Sequence, residues 1–259
     1  MNIQVLVATM HQTDHSLPEK MNIQTDAIIG NQCDRNEVED FEWNGHKIKY
    51  LNFAERGVGL NRNNSLMRAD ADVCLFADDD VVYYDDYAEK IEKAFEELPD
   101  ADVIVFNFKI TRGTGKYHDA VTKSRRVGKK GVTSYSTPLI AFRTLRVKYA
   151  NVVFHRMFGG GTEFSCGEDT IFLQDCIKSG LRVYTCASTL GTIDHGESTW
   201  FNGYTDKFFF DKGVLYKRIF GIMAKPYAAY HVIKHRKMYS QVGVKKAIKL
   251  MWEGINKKL

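Results

Sequence analysis

Residues 74–82 read CLFADDDVV, an apolar run that delivers three consecutive aspartates. Such apolar residues form a buried strand, and three adjacent like charges at its end repel one another unless a cation offsets them. Carboxylate oxygens are hard ligands that suit Mg²⁺ or Mn²⁺, which in turn bridge to phosphate. The stretch therefore indicates a nucleotide site. Its structural alternative is a solvated turn in which one aspartate caps the following helix.

A basic stretch precedes the acidic strand and reads RGVGLNRNNSLMRA over residues 56–69. The spacing of Leu60, Asn64 and Met67 predicts a helix packed beside the strand, with Arg62 near its start. Basic groups at a helix N-terminus attract phosphate. Arg62 is thus a candidate phosphate ligand, and the alternative is an ordinary surface arginine on a helix.

Two glycine-containing motifs follow about ninety residues later, FGGG at 158–161 and GEDT at 167–170. The apolar positions after Glu168 predict an amphipathic helix that ends at Gly180, so Glu168 and Asp169 lie in its first turn. Acids in a first turn complement the helix dipole in many ordinary helices. Because the two acids follow the glycine-rich segment closely, we expect that segment to be a mobile part of the protein beside an active site.

The order of these motifs resembles that of the family 2 glycosyltransferases of the GT-A fold, over roughly residues 1–200. The motifs are Arg-Gly-x-Gly-x-x-x-Arg-Asn, the strand that ends in aspartates, and Gly-Glu-Asp. The resemblance implies an α/β fold with a Rossmann-like, mostly parallel sheet flanked by helices. It also implies a metal-dependent inverting glycosyltransferase. Such an enzyme would move a hexose or N-acetylhexosamine from a nucleotide-diphosphate sugar, with UDP as the expected carrier, to a glycan or lipid-linked glycan.

The resemblance assigns the acidic cluster to the metal and the donor diphosphate. Ala77 stands where many relatives carry another acid, which leaves the register open between Asp78 with Asp80 and Asp79 with Asp80. A histidine 26 residues beyond Asp169, His195, is expected to complete a Mn²⁺ or Mg²⁺ shell formed by Asp79 and Asp80. The expected donor-binding residues are Thr9, Asn31, Asp34, Arg62, Asp78 and Asp79, with Gln32 as an alternative at the end of the second strand.

The acceptor side follows from the same resemblance. Inverting transfer needs one carboxylate that accepts the proton of the acceptor hydroxyl, and we assign Asp169 to that function. Glu168 then orients the acceptor, and Gly160 lies in a segment beside it. Trp200 offers an apolar wall on which a sugar stacks, although large aromatic residues usually pack in cores.

Alternating strand and helix patterns support a parallel-sheet protein. Predicted strands cover residues 3–8, 26–30, 47–53, 72–77, 101–110 and 181–187, a predicted helix covers 85–98, and residues 111–131 are expected to form a surface loop. We expect a catalytic domain at 1–205, with a donor half at 1–100 and an acceptor half at 101–205, followed by a basic helical region at 206–259.

Composition agrees with one large α/β domain: the chain has 259 residues, of which 44% are hydrophobic. Five cysteines without a Cys-x-x-Cys pair indicate neither a disulfide framework nor a zinc site, and favour a reducing compartment. The first residues run directly into a strand without a leader pattern, and no apolar run approaches the roughly 20 residues of a membrane span. We therefore expect a cytoplasmic or peripheral protein.

The C-terminal region is strongly basic, with thirteen Lys and Arg against Asp211 and Glu253 over residues 207–259, while the whole chain has a net charge of only +4. Val244, Ile248, Met251, Ile255 and Leu259 recur at helical spacing with lysines on the other faces. This pattern is typical of a helix on an anionic bilayer, such as the inner face of a bacterial plasma membrane, and equally of a helix packed on the catalytic domain. No nucleic-acid motif accompanies the basic residues.

Two other functions remain open from the sequence. A nucleotidyltransferase or sugar-nucleotide pyrophosphorylase would need a glycine-rich signature after the first strand, which is absent. The RGTGK segment at 112–116 also lacks the spacing of a phosphate-binding loop. The other alternative is a non-catalytic glycan-binding protein that keeps the fold without turnover.

Overall fold

The structure is a computed structural model that describes residues 1–111, 116–129, 131–194 and 203–258. Over this part of the chain, eleven strands form one mixed sheet flanked by helices, as the sequence predicts for an α/β protein. The strands are β1 (Ile3–Met10), β2 (Asp26–Gln32), β3 (Glu37–Trp43), β4 (His46–Phe53), β5 (Val73–Asp78), β6 (Val81–Tyr83), β7 (Val103–Thr111), β8 (His118–Asp119), β9 (Arg125–Val127), β10 (Ile140–Arg143) and β11 (Val183–Asp194).

The order in the sheet is β3-β4-β2-β1-β5-β10-β7-β11-β6, with β8 paired to β7 and β9 to β11. The central strands β4, β2, β1 and β5 run parallel, and β7 runs parallel to β11. From β1 the chain proceeds to β2 on one side and later to β5 on the other. In open α/β sheets, ligands bind beyond the carboxyl ends of strands at such a switch point. Thr9 and Asp78 both lie there.

The helices are α1 (Leu17–Lys20), α2 (Val58–Arg68), α3 (Tyr87–Glu97), α4 (Thr144–Tyr149), α5 (Glu168–Lys178), α6 (Asp206–Phe220), α7 (Ala224–Lys234) and α8 (Val244–Asn256). Predicted helices near residues 60–71, 85–98 and after Glu168 correspond to α2, α3 and α5. A core of aliphatic and aromatic side chains joins the sheet to its covering helices, and Phe76, Phe142, Phe154 and Phe172 contact one another within it.

Several segments differ from the sequence expectation. Glu37–Trp43 forms the unpredicted edge strand β3, antiparallel to β4, in a hairpin that turns at Asn44 and Gly45. The predicted loop at 111–131 is more ordered than expected over its described residues, because β8 and β9 pair with the sheet and Val121 and Val127 are buried. Strands β6 and β10 were likewise not predicted, whereas the six predicted strands correspond to β1, β2, β4, β5, β7 and β11, with ends that differ by up to seven residues.

The last three helices form a compact cluster around Phe209, Val232 and Met251. Helices α6 and α8 cross closely, because a Cβ on Gly213 would lie 2.1 Å from the Met251 carbonyl oxygen and one on Gly254 would lie 2.1 Å from that of Phe210. The apolar face of α8 is therefore packed against α6. Of the two alternatives that the sequence leaves open for this face, a bilayer or a neighbouring part of the protein, the burial of Met251 and Ile255 favours the second.

No helix within the described ranges combines the length and the apolar character that a membrane crossing requires. The five cysteines, all of which fall in described ranges, are free thiols. Cys74 and Cys176 are buried in the core.

Candidate active site

One side of the candidate site lies at the carboxyl ends of β1 and β5. The Thr9 hydroxyl donates a short hydrogen bond to the Asp79 carboxylate, and the Gln12 side-chain amide donates to the Thr9 hydroxyl at 2.9 Å. The Asn31 side chain is fully buried and holds the Gln12 backbone through both its oxygen and its nitrogen, each at 3.0 Å. Thr9 thus orients an acidic residue, and Asn31 fixes the loop that follows β1.

Arg62 joins the two acidic motifs. One guanidinium nitrogen donates to Asp78 Oδ1 at 2.5 Å, and another donates to Glu168 Oε1 at 3.1 Å. These partners lie 16 and 106 residues away along the chain. The aspartate corner, residues 78–80 at the end of β5, and the first turn of α5 are therefore neighbours in space, joined by Arg62.

The Arg62 side chain is only 4% exposed and its guanidinium lies 5.4 Å from the Phe154 ring. Burial opposes the charge on Arg62, yet Asp78 and Glu168 outweigh it and raise the pKa of the guanidinium. Arg62 was expected to contact phosphate. In the structure its contacts are with two carboxylates, so it acts first as the group that fixes their positions.

Asp169 has the acid–base properties that proton abstraction requires. Its Oδ1 accepts the Thr170 backbone N–H at 2.6 Å, and the side chain remains partly accessible. Burial, and then the negative charge of Glu168, raise the pKa of Asp169 to about 7, while Arg62 opposes the rise. A general base is most effective when its pKa lies near the working pH. Asp169 is therefore partly accessible and has a pKa near neutral pH.

The glycine segment at 158–161 packs against both motifs. Gly159 has φ +103°, and a Cβ there would lie 2.8 Å from the Glu168 carboxyl carbon and 2.7 Å from Val58. The Gly160 carbonyl accepts the backbone N–H of Val58 at 3.0 Å, which ties the segment to the start of α2. Glycine is required here because the backbone approaches Glu168 too closely for a side chain.

The residues present fit a divalent ion that arrives with the donor. Within the described part of the chain, no three His, Cys, Asp or Glu side chains converge to form a complete protein shell. Asp79 and Asp80 nevertheless supply hard oxygens at the strand end, and Mg²⁺ in nucleotide sites is commonly held by one or two carboxylates with water and substrate phosphates. When bound, such an ion would neutralise negative charge on a diphosphate.

Some predicted site residues lie outside this constellation. Asp34 is exposed in the loop after β2. The predicted metal ligand His195 and the predicted acceptor wall Trp200 lie outside the described residues. Asp78, Asp79, Arg62, Glu168, Asp169, Thr9 and Gly160 are the predicted residues that the structure brings together.

The sequence analysis missed the part that the C-terminal helices have in the site. Asp211 of α6 is 1% exposed and accepts hydrogen bonds from the Ser165 backbone N–H at 3.0 Å and the Ser165 hydroxyl at 2.9 Å. This contact anchors the segment that leads into α5. Arg218 of α6 also donates to Asp175 of α5 at 2.8 Å. The sequence contained one signal of this contact: Asp211 is one of only two acidic residues in the basic region 207–259, which indicates a specific partner for it.

Comparison with known proteins finds a family model that matches part of the chain. Residues 32–158 match the model described as Glycosyl transferase family 2. That range contains β4, α2, the aspartate corner and the start of the glycine segment. A search of curated proteins finds no match.

Solved structures share the fold over nearly the whole chain. The crystal structure of S. aureus TarS 1-349 in complex with UDP-GlcNAc is 16% identical, covers 92% of this chain and 73% of the TarS chain, and has a TM-score of 0.63. The complex of the same fragment with UDP is 15% identical, with 93% and 73% coverage and a TM-score of 0.62. The structure of TarS is 15% identical, with 91% and 43% coverage and a TM-score of 0.60. The family match over residues 32–158 and the shared fold together confirm the resemblance read from the sequence, and the chain has the GT-A fold of these solved structures.

Proposed function

We propose that this protein is a metal-dependent inverting glycosyltransferase that uses a nucleotide-diphosphate sugar. The observation that carries the proposal is the double contact of Arg62, which brings the aspartate corner and the Asp169 helix start together. A donor-binding group and a carboxylate with a pKa of about 7 are what transfer by single displacement needs.

In the proposed reaction, Asp169 accepts the proton of an acceptor hydroxyl while that oxygen attacks the anomeric carbon of the donor sugar. A new C–O bond forms as the bond from the anomeric carbon to the phosphate oxygen breaks, and the nucleoside diphosphate leaves with the electron pair. Asp79 and Asp80 would hold Mn²⁺ or Mg²⁺ against the diphosphate. Thr9 keeps Asp79 in place, and Arg62 keeps Asp78 and Glu168 in place.

We further propose a UDP-linked hexose or N-acetylhexosamine as the donor and a glycan or lipid-linked oligosaccharide as the acceptor. The donor proposal draws support from the TarS structures, which contain UDP and UDP-GlcNAc. Thr9 and the backbone around Asn31 lie where the nucleoside binds in this kind of sheet. Glu168 would orient the acceptor through its free carboxylate oxygen beside Gly159.

The test is slow donor hydrolysis in the absence of acceptor. The protein is incubated with a panel of UDP-, GDP- and TDP-sugars, with Mn²⁺ or with EDTA, and free nucleoside diphosphate is measured. We expect release from at least one UDP-sugar with Mn²⁺ and loss of that release with EDTA. Consumption of no nucleotide sugar, with binding of sugars alone, would favour a glycan-binding protein. Formation of nucleoside triphosphate from a nucleotide sugar and pyrophosphate would favour the pyrophosphorylase alternative.

Peripheral contact with an anionic membrane is a separate proposal, supported by a different surface from the one expected. Ile222, Tyr230 and Ile233 recur at helical spacing along α7 and the turn before it, and are 94%, 60% and 51% exposed. Lys225 and Lys234 flank them. Exposed apolar and aromatic groups among lysines match the charge and the interfacial character of an anionic bilayer.

Flotation with vesicles tests this contact. We expect the wild-type protein to float with vesicles of phosphatidylglycerol and phosphatidylcholine, and the double variant Ile222→Glu, Ile233→Glu to remain in the soluble fraction. The matched control is Leu145→Glu, since Leu145 is 61% exposed on α4. Equal flotation of the double variant and the control would reject this surface as the contact.

A further inference from the structure

A pocket of about 560 Å³ opens directly beside Asp169, and helices α6 and α7, together with the residue after α7, contribute half of its lining residues. Its lining includes no residue from the ends of β1, β2 or β5, where the donor is proposed to bind. The pocket therefore lies on the acceptor side of Asp169.

Lysine and histidine side chains concentrate in this pocket. Lys212 comes from α6, while His231, Lys234 and His235 come from the end of α7 and the residue that follows it. Lys212 is partly buried and has no carboxylate within ion-pair distance among the described residues, and its ammonium lies 5.2 Å from the Phe208 ring. A partly buried ammonium without a paired carboxylate is costly unless an anion from elsewhere shares the site.

The remaining polar wall carries hydroxyl groups. Residues 133–136 read TSYS, and all four line the pocket. His231 is hydrogen-bonded to the Tyr239 hydroxyl at 2.8 Å, and burial followed by the charge of Lys212 lowers the pKa of His231 to about 3. At neutral pH His231 is thus uncharged and offers neutral hydrogen bonds together with the hydroxyls, while Lys212 and Lys234 supply positive charge.

We propose that this pocket binds an anionic group, a phosphate or a carboxylate, carried by the sugar acceptor whose hydroxyl faces Asp169. Lys212 is the principal contact because it is partly buried, and the exposed Lys234 adds a second charge. The hydroxyl-rich wall suits the sugar that bears the anion. This inference rests on the proposed transferase function and adds to it the chemical class of the acceptor.

An alternative use of Lys212 is to stabilise the negative charge of Asp169. Burial lowers the pKa of Lys212, and the negative charge of Asp169 opposes that change, so the two side chains interact electrostatically. The two uses differ in their readouts. A partner of Asp169 would alter the pH dependence of turnover for every acceptor, whereas an anion ligand would alter the affinity for charged sugars.

The experiment measures binding directly and needs no turnover. Saturation-transfer NMR compares glucose 6-phosphate, glucuronate and methyl glucoside on the full-length protein with excess UDP and Mn²⁺, so that the donor site is filled. The variants are Lys212→Met, which keeps the stem and removes the charge, and the control Lys217→Met on the exposed face of the same helix. Thermal unfolding verifies that both variants are folded.

We expect at least one charged sugar to bind the wild-type protein and the Lys217→Met control alike, and at least tenfold more weakly to Lys212→Met. Whichever of the phosphate and the carboxylate binds more tightly identifies the anion. Equal binding of methyl glucoside and the charged sugars, or wild-type binding by Lys212→Met, would overturn the proposal. A protein that binds charged sugars through Lys212 but consumes no nucleotide sugar would refute the transferase function alone, and donor hydrolysis without this binding would refute the pocket alone.

Discussion

Removal of the Arg62 charge is the perturbation whose size the structure defines best. In Arg62→Met the stem can still pack on Phe154, but Asp78 and Glu168 lose their shared partner. Breaking one side of a buried ion pair costs about 3–5 kcal/mol of unfolding free energy. Glu168 is 15% exposed and Asp78 is 34% exposed, so water recovers part of the loss. We therefore expect about 3 kcal/mol, the lower end of that range.

Urea unfolding at pH 8 measures this loss, with Arg68→Met on the exposed end of the same helix as the control, expected to lose less than about 1 kcal/mol. The deficit should shrink at pH 5. Burial raises the pKa of Asp78, and without Arg62 the folded-state pKa lies further above the unfolded value. The associated penalty is therefore absent below the unfolded pKa, grows as pH rises from the unfolded to the folded pKa, and is complete above the folded pKa. A loss equal to that of Arg68→Met, or one independent of pH, would refute the shared-guanidinium account.

Three further predictions concern the site and its supporting helices. Asp169→Asn should retain UDP binding but lower turnover by about 10²–10⁴-fold, and the wild-type rate should rise with pH through about 7 as Asp169 loses its proton; a flat profile from pH 5 to 8 would contradict this assignment. Asp80→Ala should weaken Mn²⁺-dependent UDP binding in calorimetry, while Asp40→Ala, which breaks the exposed pair with Lys49, should not. Gly213→Ala should lower stability by about 1–3 kcal/mol through overpacking against α8, whereas Gly128→Ala, which has open space around its Cβ, should have little effect; equal melting temperatures for the two variants would count against the close crossing.

Much of the catalytic half could be predicted because its signals are local. An apolar run that ends in charge predicts a buried strand with its polar residues at the sheet edge, and Asp78 lies there. Gly-Glu-Asp before an amphipathic pattern predicts a helix start, and α5 begins at Glu168. The partner of Arg62 could not be predicted, since a charged residue indicates only that some opposite charge is near. Phosphate and a carboxylate 106 residues away satisfy that requirement equally.

The C-terminal helices show that helical periodicity predicts an apolar face but does not predict what covers that face. The stripe of Met251 and Ile255 predicts an apolar face, but the same spacing serves a bilayer and a neighbouring helix. The close contacts of Gly213 with Met251 and of Gly254 with Phe210 explain why a helix is the neighbour here. Lys212 was counted only as one of many lysines. Its position beside Asp169 depends on how α6 packs on α5, which no local pattern contains.

The most direct test of the candidate active site is a crystal structure of Asp169→Asn with a UDP-sugar and Mn²⁺. The account predicts that the diphosphate lies against Asp79 and Asp80, with the anomeric carbon turned toward residue 169 and the Arg62 bridge to Asp78 and Glu168 intact. A nucleotide bound elsewhere, or a sugar that points away from the start of α5, would contradict it.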